Sequence, residues 1–438
     1  MRIIALTMAA LFAIPAFAQE QAQAAAPAPL TLSDAFQRAL EVNPSVGRAR
    51  AEVGVAEAQK SFYLSAIMPK IGVSGRLTRN SEEVSFSGGE GEPDRTLLAE
   101  NDWAYRVTLS QPLFAGNRER RAYQQAKISI LNAQEGVDLT EEDILLQVAS
   151  SYLGVVQGDA LVGVEKQNVD IAGRRRQLAQ AFLDAGEVTK VETLRAESDV
   201  KGAERRLTRA VQLRENAASR LRLVLNTDES IVVTPPTIGG AVFPGEAELI
   251  SMAREHRSDL KQAVNSLQIA KLEVSKQRGF ALPTITFDAA MIEQKVSFPI
   301  DSYNQASINF NIPIFQSGEV AARVRGAKER EKQAMLALDE TERKVVEDIR
   351  LAMLDLDSAE KALALAKEQR AAADAEYAQM FELYQAQEAT SLDLQSSESA
   401  LAEARRAEVV GTLDRDLSRL GVWYAAGMLK GSVMTEVR

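Results

Sequence analysis

Ser110-Gln-Pro-Leu-Phe114 and Asn311-Ile-Pro-Ile-Phe315 are the two stretches that decide the fold. Their prolines, Pro112 and Pro313, stand 201 residues apart, and the same offset relates Ala126-Lys127 to Ala327-Lys328, Ile144 to Val345, Val148 to Ile349, Glu187 to Glu388 and Thr189 to Thr390. A second pair of prolines, Pro69 in Met68-Pro-Lys-Ile71 and Pro283 in Leu282-Pro-Thr-Ile285, is 214 apart, as are Ala39/Ala253, Val46/Leu260 and Ala56/Ala270. The 13-residue change of offset assigns a length difference to whatever lies between the two prolines of each half. The pattern predicts a tandem duplication in which each copy reads helix, strand, loop, strand, very long helix. A repeat of this kind settles architecture before any residue chemistry does.

Outward from these junctions the periodicity changes twice. Before Pro69, Thr31 or Ser33 can cap a first helix that stops near Asn43-Pro44, and a second runs over 45–67. After Pro69 the period becomes two: Ile71, Val73 and Leu77; then Trp103, Tyr105, Val107 and Leu109; then Ile285, Phe287, Ala289 and Met291; then Ile308, Phe310 and Ile312. Thr, Ser, Asn and Arg fill the alternate positions, as in strands with one wet face. The strands are expected at 70–78, 103–113, 284–293 and 305–315, near the length that crosses a membrane as a tilted strand. Alternation alone also fits a soluble sandwich, but four strands in so long a chain would lack a second layer. The acidic segment 81–102 is expected to be a solvated loop that accounts for the extra length of the first copy.

Past each second strand the period becomes helical and stays so. Helices over 117–186 and 319–386 would each be roughly 100 Å long at about 1.5 Å per residue, and Ala-rich helices of that length pack as coiled coils. Each breaks at a short turn, Asp184-Ala-Gly-Glu-Val-Thr189 and Gln385-Ala-Gln-Glu-Ala-Thr390, before a return helix. Gly186 is a natural terminator, and Thr189-Lys-Val-Glu192 and Thr390-Ser-Leu-Asp393 both read as capping boxes. Arg174-Arg-Arg176 reads as a solvated helix face.

The divisions that follow are a signal peptide over 1–18 ending in Ala16-Phe-Ala18, a flexible leader over 19–30, a first repeat over 31–226, a linker over 227–245 containing Pro235-Pro236, a second repeat over 246–425 and a tail over 426–438. Elsewhere no run of apolar residues is long enough for a transmembrane helix. A net charge of −10 argues against nucleic acid. A single histidine and no cysteine leave no His- or thiolate-based metal site and no Ser-His-Asp triad, and no phosphate-cradling glycine loop is present, so neither an enzyme nor a cofactor is expected.

Amphipathic strands with open edges are not tolerated in lipid, so the chain is expected to oligomerise: two copies would give a filled eight-stranded barrel, three a twelve-stranded one with a water-filled lumen. The long helices then extend away from the membrane, and a tube of that depth on a pore is a conduit. A non-conducting periplasmic coiled-coil scaffold or adaptor is the alternative.

The duplicated plan, the two Pro-centred junctions and the Ala185-Gly-Glu-Val-Thr189 turn resemble the TolC-type outer membrane efflux family over about residues 31–425. The resemblance implies an α+β membrane protein. Its homotrimer would form a 12-stranded outer membrane β-barrel continued by a long periplasmic α-helical barrel, in the outer membrane of a Gram-negative bacterium. It implies partners in a periplasmic adaptor (membrane fusion) protein and an inner-membrane pump of ABC, RND or MFS type, in an efflux or type I secretion system. It also implies adaptor docking at the tips (Gly186, Glu187, Val188, Thr189, Gln387, Glu388, Ala389, Thr390) and a gate there: Asp393 in a lumen ring, and Tyr384 with Glu192 in a hydrogen bond that holds the tip closed. Two positions depart from the family pattern, Ser396 standing for a second ring aspartate and Ala389 for an arginine. Pro69, Pro112, Pro283 and Pro313 mark the strand–helix junctions.

Overall fold

A computed structural model describes residues 29–87, 95–239, 242–296 and 300–436. The signal peptide, most of the leader and Glu90, Glu92 and Asp94 of the acidic segment lie outside the described residues.

Two short helices open the chain. Helix α1 (Leu32–Val42) is capped by Thr31, whose side chain accepts from the Asp34 N–H. Helix α2 (Pro44–Ser65) is capped by Asn43, with Pro44 in the first turn, where its missing N–H costs nothing. Strand β1 (Lys70–Arg79) follows, then β2 (Val84–Phe86), β3 (Arg95–Leu98) and β4 (Asn101–Ala115). The segment expected to be a plain loop thus carries a β2–β3 hairpin. Helix α3 (Arg118–Asp184) and return helix α4 (Lys190–Val224) complete this half. The second half runs through α5 (Glu246–His256), α6 (Ser258–Arg278), β5 (Thr284–Gln294), β6 (Ser302–Asn311), α7 (Glu319–Gln385), α8 (Ser391–Ala425) and a last helix α9 (Leu429–Glu436) in the segment expected to be a tail. Helices α3 and α7 are both 67 residues long and α4 and α8 both 35, each pair at the same 201-residue offset. At about 1.5 Å per residue the long helices measure roughly 100 Å.

The strands form one antiparallel sheet in the order β1-β4-β5-β6, with β1 and β6 at its edges. The register places the alternating apolar residues on one face: Val73 faces Val107, Val107 faces Met291, and Phe287 faces Ile308. Side chains opposite one another across strands share a face, so the apolar stripe runs across the whole sheet. Ile71, Val73, Leu77, Ile308 and Phe310 on it are all more than 60% exposed.

Two expectations at the strand ends need correction. Strand β6 stops at Asn311 instead of reaching residue 315, because its neighbour β5 begins at Thr284, just after Pro283, and leaves 312–315 nothing to pair with. Strand β4 passes through Pro112 to Ala115, since a bulge between Pro112 and Phe114 absorbs the proline and restores the facing of Phe114 with Ile285. At the joint to the helices Gly116, at φ +63°, lies so close to Gly279 that a Cβ on either would come within 2.1–2.3 Å of the other's carbonyl oxygen.

Two apolar clusters hold the helices midway. One gathers Leu32 and Phe36 of α1 against Ile144, Val148 and Tyr152 of α3 and Leu221 of α4. The other gathers Leu249 and Ala253 of α5 against Val345 and Ile349 of α7 and Val422 of α8. The Tyr152 hydroxyl is 2.7 Å from the carbonyls of both Leu30 and Thr234 and accepts from the Thr234 N–H; burial pushes it up to about 12. Leu30 is bridged to Val233, so the end of the expected flexible leader is fixed to the linker. One stretch of α3 is long and apolar enough to cross a membrane by length and composition alone; 44% of it is buried, and the helix packs along α4.

Candidate functional site

The turns α3–α4 and α7–α8 lie at the far ends of the long helices, side by side. Gly186 ends α3 at φ +76°, in the left-handed region open to glycine. Gln387, its counterpart, adopts φ 62° despite carrying a side chain. That side chain donates to the Glu187 carboxylate and joins the two turns. Val188, Glu187, Glu388 and Ala389 complete the turns, and both Glu187 and Glu388 donate their N–H groups back to the last turn of the preceding helix.

The capping boxes divide. Thr390 and Asp393 form a complete one: Asp393 N–H donates to the Thr390 hydroxyl oxygen at 3.2 Å, while the Asp393 carboxylate accepts from Thr390 N–H at 3.1 Å and from its hydroxyl at 2.6 Å. These bonds hold the exposed Asp393 carboxyl below the usual carboxylate range. Ser396, one turn on, is exposed on the same side of α8. Thr189 makes no side-chain cap, a correction to the expected box. Its Glu192 turns instead to the second hairpin, accepting from Ser391 Oγ at 2.6 Å, and also accepts from Arg195 of its own helix at 3.0 Å.

Tyr384, 6% exposed, stands edge-on to Phe182 with ring centroids 5.7 Å apart. It lines a cavity of about 70 Å³ with Glu192, Ser391, Arg175 and Asp199. No hydrogen bond joins it to Glu192; Ser391 takes that place. Burial, and then the nearby Glu192 charge, raise the Tyr384 hydroxyl.

One cross-link between the hairpins involves a residue that the sequence placed on a solvated face. Arg175 is 4% exposed, whereas Arg174 and Arg176 are exposed, so the solvated-face reading fails for the middle arginine. Its position among the buried Ile171, Ala172 and Ala179 was the available signal, at coiled-coil spacing. The Arg175 guanidinium pairs with Asp199 of α4 and with Glu398 of α8, the latter at 3.1 Å. Asp199 also accepts from Gln395 at 3.1 Å. Burial pushes the Glu398 carboxyl up to about 7, Asp199 acts in the same direction, and Arg175 and Arg174 oppose both. Farther from the tips Arg406 of α8 donates to the buried Glu165 of α3 at 2.6 Å. The site is thus a ladder of charged contacts between two helical hairpins, and a change of charge on one rung alters how tightly they hold together. Among the described residues no group of carboxylates or histidines is arranged to hold a metal.

Known proteins share this fold. The family described as outer membrane efflux protein matches residues 35–227 and 249–427. The outer membrane efflux protein BepC of Brucella suis biovar 1 is 24% identical over 91% of this chain and 86% of its own length. The alkaline protease secretion protein AprF of Pseudomonas aeruginosa is 23% identical over 73% of this chain and 68% of its own. The open state of the Neisseria gonorrhoeae MtrE outer membrane channel superposes with a TM-score of 0.77 at 17% identity, covering 91% of this chain and 89% of that one. The family match spans both halves of the sequence and makes this chain a member of the outer membrane efflux protein family.

Proposed function

We propose that this outer-membrane efflux protein is a homotrimeric, passive exit duct built from a duplicated unit. Three four-stranded sheets would close into a 12-stranded barrel, continued by a periplasmic tunnel of twelve helices. The observation that carries the reading is the sheet itself, with an exposed apolar face and two unpaired edges. Lipid would cover that face and neighbouring copies those edges. A non-conducting scaffold would have no use for either.

The tips would dock a periplasmic adaptor fed by an inner-membrane pump of ABC, RND or MFS type. Gly186, Glu187, Val188, Thr189, Gln387, Glu388, Ala389 and Thr390 would present the docking turns. Asp393 would form a lumen ring of three carboxylates, kept charged by its cap and favouring cations. Ser396 adds no charge to it, and Glu192, held by Ser391, would belong to the closed latch with Tyr384 packed nearby against Phe182. Pro69, Pro112, Pro283 and Pro313 would mark the passage from membrane to periplasm. Transport energy would come from the pump.

Planar-bilayer conductance of detergent-purified protein, with its mass measured alongside, tests this. Trimers giving small, cation-preferring currents, whose block by multivalent cations weakens in Asp393→Ala, are expected. A water-soluble species without conductance overturns the duct, and unchanged block in the variant removes Asp393 from the gate.

A further inference from the structure

Charge is distributed unevenly along the molecule. The strand ends Lys70, Ala115, Thr284 and Asn311 lie at one end of the sheet by register, and helices α2, α3, α6 and α7 meet the strands there. The segments within about three helical turns of that end, 56–70, 116–127, 270–283 and 316–328, contain twelve Lys and Arg but four Glu, in a chain of net charge −10. Three of the four, Glu119, Glu273 and Glu319, are each paired with a cation of the same band. Arg120, Lys127, Lys271, Arg278, Arg325 and Lys328 are exposed, and among the described residues none has a carboxylate within 4 Å.

Apolar and aromatic side chains accompany these cations: Phe62 is 63% exposed, Leu113 57%, Ile314 95% and Phe315 85%. The Phe280 ring is held between two guanidiniums, Arg118 at 4.5 Å and Arg323 at 4.8 Å from its centroid. Lys127 lies over the Tyr123 ring at 4.9 Å. Exposed apolar side chains in the same band as cations that lack a carboxylate partner, directly below an apolar sheet, match the sequence of layers that a bilayer offers: acyl chains, interface, then phosphates.

We infer that this collar binds anionic phospholipid headgroups of the periplasmic leaflet and fixes the depth at which the sheet sits. The inference rests on the membrane-spanning reading of the sheet. In the band the cations outnumber the acids threefold, so each copy brings a positive surface to lipid phosphates; a zwitterionic lipid offers no net charge in return.

The test uses the detergent-purified full chain, first verified to conduct in a bilayer, and measures retention of added phosphatidylglycerol against phosphatidylcholine by native mass spectrometry. The expected result is about tenfold preference for phosphatidylglycerol, lost on raising salt to about 1 M, where the screening length falls to about 3 Å. The variant Lys127→Gln/Arg325→Gln/Lys328→Gln should lose most of that preference. Equal retention of the two lipids by the conducting wild type overturns the collar and leaves the duct standing, while absence of conductance strikes the duct reading instead. A variant that alters ion selectivity but keeps the lipid preference would place these cations on the lumen and also overturn the proposal. If the variant does not assemble, the salt dependence of the wild type decides.

Discussion

Glu398 sits where the two hairpins meet, and its protonation state bears on how they hold together. It faces Arg174 and Arg175 of α3, Asp199 of α4, and Tyr377 and Tyr384 of α7. Its folded-state pKa of about 7 is above the ordinary 4.5. Its protonation therefore favours the folded contact below about pH 4.5, and that contribution is lost as pH rises through about 7. The apparent Tm of the purified protein should fall between pH 5 and 8, and Glu398→Gln should flatten that slope; an unchanged slope in the variant would assign the pH dependence elsewhere. At the turn, Gly186→Ala has space for its methyl group, since nothing lies within 4 Å of the position, but not the backbone freedom at φ +76°. It should destabilise the turn by about 1–2 kcal/mol, seen as faster amide exchange at 183–189, whereas a bulky residue there should abolish export while trimers persist. Asp393 and Thr390 were legible because a capping box is local chemistry. Thr189–Glu192 has the same local pattern, but Ser391, 199 residues on, wins the Glu192 carboxylate, and no local reading could have found that.

Helices α3 and α4 approach closely at Gly158, where an added Cβ would come within 2.9 Å of the Arg214 Cα. Gly158→Ala should cost about 1–3 kcal/mol through overpacking. Gly173→Ala, in the same helix with nothing within 4 Å, should gain up to about 1 kcal/mol from helix propensity. Paired melting curves of the two variants check the contrast, and equal shifts would mean that the α3–α4 contact is looser than described. Elements were the most legible scale. Period and proline position located the four long strands and both long helices, because each signal repeats over many residues. Misplaced ends came from pairing: β6 stops where Pro283 ends its neighbour, and the β2–β3 hairpin joins segments too short to show a period. Arg175 escaped because a buried arginine among solvated ones looks like them in sequence; only the approach of α4 and α8 buries it.

At the scale of the whole molecule one copy leaves sheet edges open. Among the described residues β1 and β6 have no outer neighbours, and the proposed closure pairs β1 of one copy with β6 of the next, leaving the apolar face to lipid. Offsets between prolines describe the repeat but not the edges, so they could not show this closure; the period-two alternation of the strands suggested it. The absence of cysteine makes the direct test clean. Val73→Cys on β1 is combined in turn with cysteine at Asn304, Ala306, Ile308 and Phe310, the β6 residues that share its face of the sheet. The combinations are oxidised in native membranes, and the cross-linked products are sized. Closure by three copies predicts, for at least one combination, a ladder that stops at the covalent trimer; no cross-link in any combination, or a ladder running past three, would contradict it.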